Sequence, residues 1–239
     1  MADDPQGTIA LVGAGEYLPE MEPVDRLLLD RVSGSLRVVV LPTAAAPDGK
    51  PVAERWARMG VEHFTRLGVY VEPVMLLTRA DAQSAELAGQ IGAASFVYLS
   101  GGKPGYLVAT LRGTPCWESI RQVYRRGGVV AGCSAGAMAL ASVLPGLRAR
   151  PALGLTGTLC VIPHANEIPR WMPRALGLAR RKAPIAAVDG MTALMGTPSG
   201  WVVAGSGRVT LLSGGRATRY VAGQAVPLPI ASPRVGVGS

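Results

Sequence analysis

From residue 8 to residue 126 the chain alternates short apolar runs with longer amphipathic ones, and this rhythm restricts the fold more than any other feature. Thr8–Val12 is followed by Glu22–Val32, Arg37–Leu41 by Val52–Leu67, Tyr70–Leu76 by Ala82–Ile91, and Phe96–Leu99 by Tyr106–Arg112 and Trp117–Arg126. A brief apolar run followed by apolar residues at three- and four-residue spacing reads as a strand followed by a helix. Repeated in series, it predicts an α/β fold: a three-layer, doubly wound, mostly parallel sheet. The short runs are rich in Val and Leu without clean polar alternation, as expected when helices cover both faces of the sheet.

Beyond residue 141 the texture changes. Gly157–Ile162, Ile185–Val188, Thr192–Met195, Trp201–Ala204 and Arg208–Leu212 read as shorter, partly antiparallel strands that add to an edge of the sheet. The Pro-, Gly- and Val-rich stretch 226–239 predicts a loosely ordered tail after a single domain over 1–225. With 239 residues, 49% of them hydrophobic and 17% charged, the chain can bury one sizeable core. No apolar stretch is long enough to span a membrane, and Met1 to Pro5 carry neither the basic nor the apolar region of a secretion signal. A cytoplasmic protein without a membrane partner is expected. The three cysteines, Cys116, Cys133 and Cys160, lack the spacing of a zinc site or a disulfide framework, which predicts reduced, packed thiols.

The formal charge of +8 is unevenly spread, since 14 of the 16 acidic residues lie in 1–118 and only Glu167 and Asp189 follow. Arg170, Arg174, Arg180, Arg181 and Lys182 read as a solvated helix face or as an attraction for acidic small substrates. Aromatic interleaving is slight and no nucleic-acid motif is present, so no nucleic-acid partner is expected.

The chemistry concentrates at Gly132-Cys-Ser-Ala-Gly-Ala137, which follows the apolar Gly-Gly-Val-Val-Ala (127–131) and precedes the helix-forming Met-Ala-Leu-Ala (138–141). This is a strand, a sharp turn and a helix, with Ser134 at the apex between Gly132 and Gly136. A serine hydroxyl needs a base, and the chain has two histidines. His63 falls inside an amphipathic helix and reads as structural. His164, after Leu159-Cys-Val-Ile-Pro163, falls at a strand's end and reads as the base. The amide of Ala135 and one from Gly101 or Gly102 are the candidate oxyanion donors. Gly13-Ala-Gly15 after the first strand does not continue as a dinucleotide fingerprint, because Leu18 holds the sixth position and Pro19 follows. Cys133 lies off the glycine frame and reads as a small buried side chain.

These segments, in this order, resemble the peptidase family of cyanophycinase and the α-aspartyl dipeptidases (dipeptidase E), which have a class I glutamine amidotransferase-like fold. Ile9-Ala-Leu-Val-Gly-Ala-Gly-Glu16 is similar to the family's opening, and Val39-Val-Leu-Pro-Thr-Ala44 to its second strand. Tyr98-Leu-Ser-Gly-Gly102 is similar to its oxyanion loop, the Ser134 turn to its nucleophile elbow, and Val161-Ile-Pro-His164 to its histidine segment. Val188-Asp-Gly-Met-Thr-Ala-Leu194 and Trp201-Val-Val-Ala-Gly205 resemble its closing strands.

Three departures stand out. The family's third triad member is usually an acid between serine and histidine, yet no Asp or Glu occurs from Ser119 to Asn166. Glu167 is favoured as the third member, with Asp189, Asn166 and Glu16 as alternatives. The oxyanion loop continues Lys103-Pro104, and the closing segment reads Asp189-Gly190 where relatives carry a glutamate in the second position. Arg170 and Arg174 are similar to arginines that follow the histidine in cyanophycinases.

The resemblance implies a serine peptidase or amidohydrolase acting on a small peptide or isopeptide bond, with an acidic residue in the substrate and no metal or organic cofactor. Glu16, Lys103, Arg170 and Asp189 are the candidate substrate contacts, and a homodimer is an open option. The alternatives are a non-catalytic binding or regulatory protein, and a glutaminase using Cys133.

Overall fold

The structure, a computed structural model, describes residues 7–146, 150–168 and 183–229. β1 (Thr8–Val12), β2 (Arg37–Leu41), β3 (Tyr70–Pro73), β4 (Phe96–Leu99) and β5 (Val129–Cys133) are parallel and lie in the order β1-β5-β4-β2-β3. The connections carry α1 (Glu22–Leu29), α2 (Lys50–Arg66), α3 (Ala85–Gly92), α4 (Pro104–Leu111) and α5 (Pro115–Arg125), and α6 (Ala135–Leu140) follows β5. Local chemistry sets several of these boundaries. Ser84 and Thr114 cap α3 and α5 by accepting the amides of Leu87 and Trp117, and Pro115 opens α5 where no amide partner is needed. β3 ends at Pro73, short of the expected Leu76: the Val74 amide still donates to the Val40 carbonyl at 2.9 Å, but the chain then turns, with the Leu76 amide on the Val74 carbonyl at 2.8 Å.

Alternate residues of each strand face opposite layers. Ile9, Leu11, Val97, Leu99 and Val130 join a core with α3 to α6, whereas Ala10, Val12, Phe96, Tyr98 and Ala131 join another with α1 and α2. The expected doubly wound, mostly parallel sheet is the one observed.

The later strands divide between two sheets. β10 (Thr192–Thr197), β11 (Gly200–Gly205) and β14 (Ala225–Val226) extend the main sheet antiparallel from β1, making eight strands. β6 (Val143–Leu144), β7 (Arg150–Pro151), β8 (Cys160–Ile162), β9 (Ile185–Val188), β12 (Arg208–Ser213) and β13 (Arg216–Val221) instead form a second sheet of six. Edge addition therefore describes only some of these strands. The second sheet forms because Val161, Ala186, Val188, Val209 and Leu211 bury one of its faces in the same core as Ile9 and Leu11.

Past residue 225, Val226 pairs with Trp201, and the Trp201 indole donates to the Pro229 carbonyl at 2.7 Å. The start of the expected tail is thus held to the sheet, and 230–239 lies outside the described residues. No helix among the described residues is long and apolar enough to cross a membrane.

Candidate active site

Strand register brings four loops to one edge of the main sheet. Val12 pairs with Cys133, and Gly132 and Leu41 each pair with Leu99, so the chain leaves β1, β5, β4 and β2 at the same level. Ligands of open α/β sheets bind outside these carboxyl ends. Ser134 links β5 to α6 with φ 49° and ψ −106°, a conformation disfavoured for a side-chain-bearing residue by about 1–3 kcal/mol. Its amide donates to the Val12 carbonyl at 2.9 Å, which fixes the turn against β1. A Cβ on Gly136 would stand 2.3 Å from the Leu99 carbonyl oxygen, so glycine is what lets α6 pack directly on β4.

His164 arrives from the second sheet, two residues past β8, and its amide donates to the Gly13 carbonyl at 3.3 Å. Its Nε2 lies 3.1 Å from Ser134 Oγ and its Nδ1 lies 3.2 Å from Glu167 Oε2. Glu167 reaches back across a turn closed by its own amide on the His164 carbonyl, 2.9 Å away. The pair is open to solvent: the His164 side chain is 39% exposed and that of Glu167 is 62%.

The other three candidates for the place beside His164 are occupied elsewhere. Asn166 Oδ1 accepts the Gly190 amide at 2.7 Å, and Asp189 Oδ2 accepts the Arg208 amide at 3.2 Å with the Arg208 Nε at 3.6 Å. Glu16 lies beneath the elbow. Its Oε1 accepts the Gly101 amide at 2.9 Å, and its Oε2 receives the Cys133 thiol at 2.8 Å.

This arrangement corrects one expectation and narrows another. Glu16 is only 7% exposed with both oxygens engaged, so it supports the elbow and does not face a substrate. The Gly101 amide is taken by Glu16, which leaves Gly102 as the one of the two expected glycines whose amide is unengaged among the described residues. Gly102 has φ 140°, and the next amide, that of Lys103, is held by the Ala44 carbonyl at 2.7 Å. The sequence reading missed this part of the loop after β2. The signal available was that Pro42-Thr-Ala44 follows a parallel strand at the same sheet edge as the serine.

Of the remaining expected substrate contacts, Lys103 Nζ lies 3.4 Å from Asp48 Oδ1 on the surface, and Asp189 is engaged with Arg208. Arg170 and Arg174 lie outside the described residues, as do Arg180, Arg181 and Lys182. Among the described residues, no three or more His, Cys, Asp or Glu side chains gather as they would around a metal ion.

The sequence model of peptidase family S51 matches residues 9–149, a span that runs from β1 past the elbow. The chain belongs to peptidase family S51. This S51 chain is accordingly a peptidase-type hydrolase. It is similar to the crystal structure of a peptidase from an acI-B1 Actinobacterium, at 31% identity over 94% of this chain and 98% of that one, with a TM-score of 0.86. A putative peptidase E protein from Listeria monocytogenes EGD-e shares the fold at 18% identity and a TM-score of 0.62, over 84% of this chain and 99% of that one. No curated protein sequence matches the chain.

Two further groups of the S51 chain have structural explanations. Burial, with the Glu16 carboxylate alongside, holds the Cys133 thiol well above its ordinary pKa, which disfavours the thiolate form. His63 Nε2 lies 2.7 Å from Asp25 Oδ2, and both side chains are fully buried between α1 and α2.

Proposed function

We propose that the chain cleaves a small peptide or isopeptide bond through an acyl-enzyme on Ser134. With Nδ1–H donating to Glu167, the His164 tautomer presents an Nε2 lone pair to the Ser134 hydroxyl. Nε2 takes the proton as Oγ bonds to the carbonyl carbon, and the negative charge passes to the carbonyl oxygen. The amides of Ala135 and Gly102 stabilise that charge: Ala135 opens α6, where helix amides lack internal partners, and Gly102 has no partner among the described residues. Collapse of the intermediate breaks the C–N bond, and His164 returns the proton to the leaving amine. Water, activated by the same imidazole, then frees the acid and the serine.

The net charge of +8 supports a substrate carrying an acidic residue. The observation that carries the reading is the 3.1 Å approach of His164 Nε2 to a serine held in a strained turn. An alkyl fluorophosphonate tests it, since attack by Oγ expels fluoride and leaves a phosphonyl-serine. Labelling of the wild type that Ser134→Ala abolishes is expected. An unlabelled wild type, or equal labelling of the variant, refutes the proposal.

A further inference from the structure

We infer that Glu16 is a positioning residue that sets the oxyanion loop against the nucleophile elbow, an inference that rests on the Ser134 reading above. Glu16 stands four residues past β1 among the loops at the sheet edge. One carboxylate oxygen takes the amide of Gly101, which follows β4, and the other takes the thiol of Cys133, the last residue of β5 and the neighbour of Ser134. A single side chain therefore ties together the ends of three parallel strands.

The tie determines which amide is free. In the segment 101–103 the first amide is bound by Glu16 and the third by the Ala44 carbonyl, so the loop is fixed on both sides of Gly102. Only the middle amide is left to meet developing charge. The fit is close, because a Cβ on Gly101 would stand 2.8 Å from Glu16 Oε1 and 3.6 Å from Ser134 Cβ. Gly101 is thus a thin spacer between the carboxylate and the nucleophile, and a change at Glu16 reaches Ser134 through it. Releasing the Gly101 amide lets the 100–101 peptide rotate, and Gly102 N–H loses its aim.

What matters in this arrangement is an acceptor for Gly101, not the charge. Gln at position 16 keeps a carbonyl oxygen for that amide and turns its NH₂ toward the Cys133 sulfur, a weak acceptor. Ala keeps neither contact.

The test compares wild type, E16Q and E16A by second-order labelling with the fluorophosphonate, by hydrogen exchange of the Gly101 amide, and by thermal melting to verify folding. E16A is expected to label roughly 10²-fold more slowly, the cost of losing one oxyanion donor, while E16Q stays within about threefold of wild type. The pH at which labelling reaches half its plateau is expected to be common to all three, because the His164–Glu167 pair is untouched. Gly101 is expected to exchange slowly in wild type and E16Q and rapidly in E16A.

E16A labelling at the wild-type rate, or E16Q falling as far as E16A, overturns the inference. So does a Gly101 amide that exchanges alike in all three proteins. If wild type is not labelled, the Ser134 reading fails by itself, and the exchange rates still decide whether Glu16 holds the loop. Should E16A not fold, E16D supplies the same readouts, its carboxylate being one methylene too short to reach both partners.

Discussion

Replacing Glu167 by alanine separates a solvent-exposed orienting carboxylate from a buried one. The substitution keeps the turn, because the amide of residue 167 still donates to the His164 carbonyl, and it removes only the 3.2 Å contact to Nδ1. Since the two side chains are 39% and 62% exposed, the contact is screened, and exposed pairs of this kind contribute about 0.2–1 kcal/mol. At about 1.4 kcal/mol per decade of rate, that corresponds to a loss of roughly 1.4- to 5-fold. A buried triad carboxylate is worth on the order of 10⁴-fold. The assay is the second-order rate of fluorophosphonate labelling, measured by intact mass at about 0.1 and 1 M NaCl. The difference between wild type and E167A is expected to narrow at the higher salt, where the Debye length falls from about 10 to about 3 Å. A loss of 10³-fold or more, or a gap indifferent to salt, would refute the reasoning and mean that Glu167 becomes desolvated when the site closes on its ligand.

Two other predictions concern the elbow and the thiols. Gly136→Ala forces a methyl to within 2.3 Å of the Leu99 carbonyl oxygen, so it is expected to lower stability by about 1–3 kcal/mol and to slow labelling by roughly 10²-fold as Ser134 is displaced. A variant with wild-type melting and labelling would show that α6 can shift freely. All three cysteines are buried, and burial pushes the Cys116 thiol up to about 11 and the Cys133 thiol well above its ordinary range. At about pH 8 the Cys116 thiolate fraction is about 10⁻³, so iodoacetamide is expected to modify the unfolded protein and spare the native one. Rapid carboxamidomethylation of native Cys133 would contradict its placement beneath the elbow.

The parts of the fold legible in the sequence are those set by local pattern. β1, β2, β4 and β9 have the bounds that their apolar runs give, because a strand covered on both faces has no polar interruption to blur its ends. The pairing of the late strands was not legible, because a run such as Arg208–Leu212 has the same composition whether it joins the main sheet or a second one. The site divides in the same way. Ser134 and His164 were visible because a strand end and a glycine frame announce them within a few residues. The engagement of the Gly101 amide by Glu16 spans 85 residues and leaves no local mark. The sequence favoured Glu167 without eliminating Asp189 or Asn166, since all three follow the histidine, and the structure shows the other two engaged with Arg208 and Gly190.

β1 lies between β5 and β10, with Ile9 opposite both Val130 and Gly196. During synthesis its first edge can close once Cys133 has emerged, but its second must wait for the strand that begins at Thr192. At about 5–20 residues per second, the intervening 59 residues (192 − 133) take about 3–12 s. For that interval the strand leading into Gly13 and Glu16 presents an unpaired ladder, the kind of edge that recruits strands from other chains. The Met191 amide also donates to the Ala14 carbonyl, so the loop that supports the elbow is completed only as β10 docks. The turn carrying Ser134 therefore gains its last backbone support only after four-fifths of the chain has been synthesised.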